Sequence, residues 1–203
     1  MRSPGRRVAG SLGCLALLLA SCRSAHVSGP AVAPLQTTAT LESLFARADS
    51  FPGARSIARV RVTTDGETRS FRAQIIVENR QRMQLIAYSP VGTTAATITA
   101  DGDHVTVVDT LHGSTVEGSA EQMLAPYGFF TGGLTPAEMG MLLLGYPPRR
   151  DLKYETAATG LSRAVAGDID VTFDPPSFPA RHVVIAHGSD RVEVDHLEVA
   201  SMN

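Results

Sequence analysis

Hydrophobic positions change their spacing along the chain, and the changes mark elements. Leu41, Leu44, Phe45 and Ala48 recur at helical intervals until Phe51-Pro52-Gly53 ends the run, which predicts one amphipathic helix. From Ala58 the period becomes two. Ala58, Val60 and Val62 share a face, with Arg59, Arg61 and Thr63 opposite. Asp65-Gly66 is a two-residue hairpin signal. The returning strand points Phe71, Ala73, Ile75 and Val77 one way and Ser70, Arg72 and Gln74 the other. Arg82 to Tyr88 repeats the alternation through Met83, Leu85 and Ala87, and after Ser89-Pro90-Val91-Gly92 another strand carries Ala96, Ile98 and Ala100. Asp101-Gly102 then turns into Val105 and Val107. Consecutive hairpins with one wet and one dry face predict an antiparallel meander.

Two short helices follow. Ser119 and Gln122 form a capping-box pattern before Met123 and Leu124, with Pro126 as the stop. Thr135, Pro136 and Glu138 open a second helix through Met139, Leu142 and Leu143, which ends at Gly145 before Pro147-Pro148. Strands resume over 152–156, 169–173, 183–186 and 191–200, and a change of phase at His196-Leu197 predicts a β-bulge. No internal repeat or second domain boundary is visible. The class is α+β, mainly β, with a curved antiparallel sheet and about three short helices in one domain over 37–203.

The first 36 residues read differently. Arg2, Arg6 and Arg7 precede the apolar run 8–20, which is short for a ~30 Å hydrocarbon core and reads as a signal peptide over 1–21. It stops at Leu19-Ala20-Ser21-Cys22, a stretch that resembles the bacterial lipobox, in which the cysteine is lipidated before cleavage. The blander alternative is an ordinary signal peptide or a short anchor. Residues 22–36, rich in Ser, Pro, Ala and Gly, read as a lipidated Cys22 and a flexible tether. Two or more acyl chains there give a stable anchor, at ~0.8 kcal/mol per buried CH₂.

Removing 21 of 203 residues takes away three of the 18 basic residues and none of the 20 acids, so the net charge moves from −2 to −5. That balance argues against binding nucleic-acid phosphates. Cys14 falls in the removed part, so no disulfide is available to the mature chain. Catalytic constellations fail in turn: there is no Gly-x-Ser-x-Gly and no phosphate-cradling loop with lysine, Lys153 lying in a strand. His182 and His187 lack metal-ligand spacing, Asp101, Asp103 and His104 suit a turn, and Asp195-His196 reads first as a solvated strand face. No catalytic or metal residue is assigned, and the chain is read as a non-enzyme without cofactor. From pattern alone the dry face of the sheet either fills itself or surrounds an apolar cavity. Small residues at Ala58, Ala73, Ala87, Ala96 and Ala100 lean slightly toward the second.

Several stretches, in order, resemble the outer-membrane lipoprotein receptors of the bacterial lipoprotein-localisation (Lol) system, within the LolA/LolB-like superfamily. They are Leu19 to Cys22, the run 82–94 with its Ser-Pro-Val-Gly loop, 101–105, 120–124, the helix end 141–147, Pro179-Ala180-Arg181, and 192–199. The resemblance implies an unclosed β-barrel with a helical lid that holds a client's acyl chains. On that reading Val60, Val62, Phe71, Ile75, Met83 and Leu85 line the cavity, together with Ile98, Val105 and Val107, and Met123, Met139, Leu142 and Leu143 come from the lid. In the family's membrane-insertion loop, Pro90, Val91 and Gly92 take the place of residues around an exposed leucine. The implied partners are lipoprotein acyl chains, a periplasmic carrier and outer-membrane lipid through Cys22. The implied protein is a monomer on the periplasmic face of the outer membrane. A same-fold lipoprotein carrying another amphiphile, or a structural or regulatory one with a filled core, remains the alternative.

Overall fold

The computed structural model describes residues 40–124 and 132–202. The signal peptide, Cys22, the tether and the Pro126 stop lie outside the described residues. Alternating β-branched and polar residues leave every strand with a dry face, and pairing those faces side by side builds one antiparallel sheet. Its strands are β1 (Gly53–Thr64), β2 (Glu67–Glu78), β3 (Arg82–Tyr88), β4 (Thr94–Asp101), β5 (His104–Asp109) and β6 (Ser114–Ser119), then β7 (Lys153–Ala157), β8 (Gly160–Ala166), β9 (Ile169–Phe173), β10 (His182–His187) and β11 (Asp190–Ser201). The spatial order is β6-β5-β4-β3-β2-β1-β11-β10-β9-β8-β7. Every neighbour is consecutive in sequence except β1 and β11, which close the long-range join. The sheet ends at β6 on one side and β7 on the other, so the barrel is unclosed.

Three helices accompany it: α1 (Leu41–Asp49), α2 (Ala120–Leu124) and α3 (Pro136–Leu143). Because the chain passes from edge β6 to edge β7 by way of α2 and α3, those helices form a lid. α3 lies against β2, β3 and β4, and α2 against β5 and β6. α3 is apolar on every side except Glu138, as a helix buried all round must be. Its start is the predicted capping box: Thr135 Oγ1 accepts from Glu138 N at 3.2 Å, and Thr135 N donates to Glu138 Oε2 at 2.9 Å. Its end is a Schellman turn, with Gly145 at φ 88 donating to the Leu142 carbonyl and Tyr146 to that of Met141.

α2 departs from the expected capping box. Ser119 Oγ accepts from Gln122 N at 3.4 Å, but the first turn is held by Asp103, whose carbonyl and carboxylate both accept from Ala120 N. The predicted bulge is where the phase changed: Ile57 pairs with Glu198 and Ala58 with His196, leaving Leu197 extra and 59% exposed.

The two ends of the barrel differ. At the β2–β3 turn, Arg80 donates to the carbonyls of Ala48 at 3.1 Å and Pro148 at 2.7 Å, tying α1 and the segment after α3 to the sheet. Edge-on aromatic contacts Phe51–Tyr146, Tyr146–Phe178 and Phe45–Tyr154 fill that end, and burial pushes the Tyr154 hydroxyl up to about 12. At the opposite end the hairpins β1–β2, β3–β4 and β5–β6 rise around an opening. The molecule is a vessel plugged at one end.

Candidate functional site

The concave wall is built from inward-facing residues of β1 to β5 and of β10 and β11. Beneath α3 it encloses an apolar cavity of about 40 Å³ lined by Val60, Ile75, Met83, Leu85, Ile98 and Ala100. The other side is made by Leu124, Pro136, Met139 and Leu143 of the lid and by Ile185, Val192 and Val194. A groove of about 520 Å³ opens toward the hairpin end. Its floor is Val62, Phe71, Leu85, Ala87, Ala96, Ile98 and Val107, and its rim is Thr64, Asp65, Glu67, Arg69 and Asp109. Leu85 and Ile98 border both spaces, so the groove leads to the lid. A greasy floor with a charged rim takes an amphiphile by its tail and leaves its polar end in water.

Of the residues read from the sequence as cavity-lining, Val60, Ile75, Met83, Leu85, Ile98, Met139 and Leu143 border the enclosed cavity. Val62, Phe71 and Val107 border the groove. Three residues border neither space. Val105 is fully buried beneath α2, in a second apolar cluster with Ala100 and Ala120. Met123 packs against that same cluster, near Gly118. Leu142 is turned aside from the row Pro136, Met139, Leu143 and is sealed in the main core. Among the small residues, Ala58 and Ala73 are core, whereas Ala87, Ala96 and Ala100 do border open space. Sequence reasoning missed Ile185, Val192 and Val194. Their alternation was visible, but their place in this wall depends on the β1–β11 pairing, which no local signal announces.

The lid seats closely because Gly140 has no side chain. A Cβ there would lie 2.5 Å from Cγ2 of Val77 and 3.4 Å from Sδ of Met83. A polar latch holds its far end: Nε2 of His196 lies 3.0 Å from the Leu143 carbonyl and Nδ1 lies 2.6 Å from Oγ of buried Ser56. The carbonyl can only accept, so the neutral ring donates from Nε2 and accepts the Ser56 hydroxyl at Nδ1. Burial pulls the imidazole down to about 4. His196 is thus no solvated strand residue. Its neighbour Asp195 faces the other way and holds Nδ1 of His182 at 2.6 Å.

The loop after β3 is stiff. Ser89 N donates to the Thr93 carbonyl at 2.8 Å, Gly92 N to that of Ser89 at 2.9 Å, and the Ser89 and Thr93 hydroxyls meet at 2.8 Å. At its tip Val91 is 85% exposed, while Pro90 and Gly92 border a depression on the convex side. Among the described residues no group of His, Cys, Asp and Glu is arranged to hold a metal ion, and no helix is long and apolar enough to cross a membrane.

A family model described as a protein of unknown function (DUF3261) matches residues 57–131. No curated protein matches the sequence. Among solved structures, a domain named for outer-membrane lipoprotein sorting, from Vibrio parahaemolyticus, aligns with a TM-score of 0.57 at 8% identity, covering 80% of this chain and 90% of that one. A DUF1329 family protein from Desulfovibrio piger aligns at 0.52 and 8% identity, covering 79% and 91%. A LolA superfamily protein from Nitrosomonas europaea aligns at 0.48 and 10% identity, covering 81% and 94%. At such identities the likeness is one of fold alone, and the fold is an unclosed antiparallel barrel beneath a helical lid.

Proposed function

We propose that this chain is a lipid-anchored receptor on the periplasmic face of the outer membrane, which binds the acyl chains of lipoproteins delivered by a carrier and inserts those lipoproteins into the membrane. It works by binding and not by catalysis. The observation that carries this reading is the apolar cavity beneath α3 and its continuation, through Leu85 and Ile98, into an open groove. A 16-carbon chain moved from water into such a lining gains on the order of 12 kcal/mol at ~0.8 kcal/mol per CH₂. No comparable exposure in water is tolerable in transit, so hand-over from host to host is the physical requirement. Each host need only hold the chain more favourably than the last.

The enclosed part, about 40 Å³, has room for only a few water molecules. A long chain therefore enters by the groove and lifts α3, with Met139 and Met83 repacking around it. Val91 supplies the contact with lipid, and Cys22, once acylated, holds the body at the surface. The deciding experiment is depletion of the protein, followed by fractionation of the other lipoproteins. Accumulation in the periplasm or inner membrane is the expected result, and normal arrival at the outer membrane refutes the receptor role. Mass spectrometry of what co-purifies separates acylated protein from another amphiphile; a glycolipid as the bound species would move the assignment to that cargo.

A further inference from the structure

Five large apolar residues are exposed among the described residues, and two of them sit on hairpin tips at the open end: Val91, and Leu111 at 64%. Leu111 belongs to the β5–β6 hairpin. The register Ala87↔Ala96↔Asp109 puts the foot of that hairpin in the same cross-strand row as the foot of the Val91 loop. The two tips are separated by two strand spacings, about 10 Å. Each is held rigid by its own side-chain bonds. For Leu111 the clamp is Asp109, whose Oδ1 accepts from the backbone of Leu111 at 2.9 Å and of His112 at 3.0 Å, while Oδ2 lies 2.7 Å from Nδ1 of His112. An aliphatic side chain on a braced turn gains nothing from water, and two of them side by side make a patch.

The adjoining row supplies charge. Arg59 pairs directly with Arg72 across β1 and β2, and Arg72 with Tyr88 at the foot of the Val91 loop. Both arginines border the convex depression of about 580 Å³ that Ser89, Pro90 and Gly92 complete. Like charges directly opposite one another oppose folding. The acid across β11 from Arg59, Asp195, is taken up by His182, and the nearby Glu193 is shared between Arg61 and Arg191. Asp65 and Glu67 lie on the concave rim, on the other side of the sheet.

We infer that the open end carries a two-point membrane contact, in which Leu111 enters the lipid beside Val91 while Arg59 and Arg72 bind the phosphate of an anionic phospholipid headgroup. This rests on the proposed role of the Val91 loop and adds to it a second apolar anchor and a lipid class.

The chain contains no tryptophan, so Leu111→Trp, Val91→Trp and Ser189→Trp each introduce a single reporter, the last on the exposed β10–β11 turn at the same end. The full protein carrying each reporter is mixed with phosphatidylcholine vesicles, with or without phosphatidylglycerol, whose acyl chains are brominated to quench tryptophan. Loss of emission at 111 and 91 but not at 189, stronger with phosphatidylglycerol and reduced by Arg59→Ser/Arg72→Ser or by high salt, is expected. Quenching at 91 without 111 overturns the two-point contact and leaves the loop reading standing. Quenching at neither removes the loop reading itself. Equal quenching on both vesicle types, unmoved by salt, overturns the headgroup seat even if the double variant fails to fold. Inorganic phosphate should act no more strongly than chloride at equal ionic strength; specific displacement by phosphate would make this a free-anion site and overturn the lipid assignment.

Discussion

Replacing Gly140 with alanine tests the close seating of α3 on β2. In an open helix the change would stabilise by about 1 kcal/mol, through helix propensity. Here the new methyl meets Cγ2 of Val77 at 2.5 Å. Val77 is fully buried and β-branched, so it cannot rotate away without displacing the core. Overpacking of this kind costs roughly 1–3 kcal/mol, which outweighs the propensity gain and leaves a net loss near 1 kcal/mol. For a chain of this size that is a fall in Tm of about 2–4 °C. The control is a cycle with Val77→Ala, which alone costs roughly 2 kcal/mol but removes the methyl groups in the way. In the double variant the alanine at 140 should become neutral or stabilising, giving a coupling of about 1 kcal/mol. Calorimetry or urea unfolding reads all four species. A gain of the full propensity term in Gly140→Ala, strictly additive with Val77→Ala, would refute the seating of the lid.

Acid should loosen the latch. The unfolded chain binds a proton on His196 near 6.5 and the folded protein only at about 4, so stability is level above that window and falls as pH drops through it, by at most about 3 kcal/mol. Urea unfolding between pH 7.5 and 4 measures the slope, and His196→Gln should flatten it. Thr135→Ala breaks the capping box of α3 and should cost about 1 kcal/mol in the same assay. Val91→Glu should change stability by less than about 0.5 kcal/mol, given the exposure of Val91, while lowering delivery of lipoproteins to membranes. A large loss of Tm would instead make it a packing residue. Ile98→Trp, at the junction of groove and cavity, should weaken binding of a fluorescent fatty acid far more than Leu111→Ser does.

Where alternation was uninterrupted, pattern sufficed. Val60, Val62, Ala73, Ile75 and Val77 face inward as their spacing requires, and the single change of phase before Leu197 is the observed bulge. Two strands were missed for reasons of the same kind. β6, Ser-Thr-Val-Glu-Gly-Ser, has only one apolar side chain because it is an edge strand with little to cover. β8 holds Leu161 and Ala164 inward in opposite phases, since another bulge leaves Ser162 extra between Leu161, opposite Thr156, and Arg163, opposite Glu155, and no run of alternation survives. Burial of Leu142 and Val105 away from open space was not legible either, because it depends on how α2 and α3 rotate onto the sheet. His196 shows the same limit: its position was read correctly, but its buried partners are 53 and 140 residues away.

Among the described residues, β6 and β7 are the two ends of the sheet, with no ladder joining them. Enlarging the interior therefore separates only side chains, and every backbone hydrogen bond of the sheet can survive while the walls spread. Such a seam works as an expansion joint: one container can accommodate guests of different girth without partial unfolding. Amide hydrogen exchange in β1 and β2, far from the joint, should be as slow with a bulky guest as with a slender one.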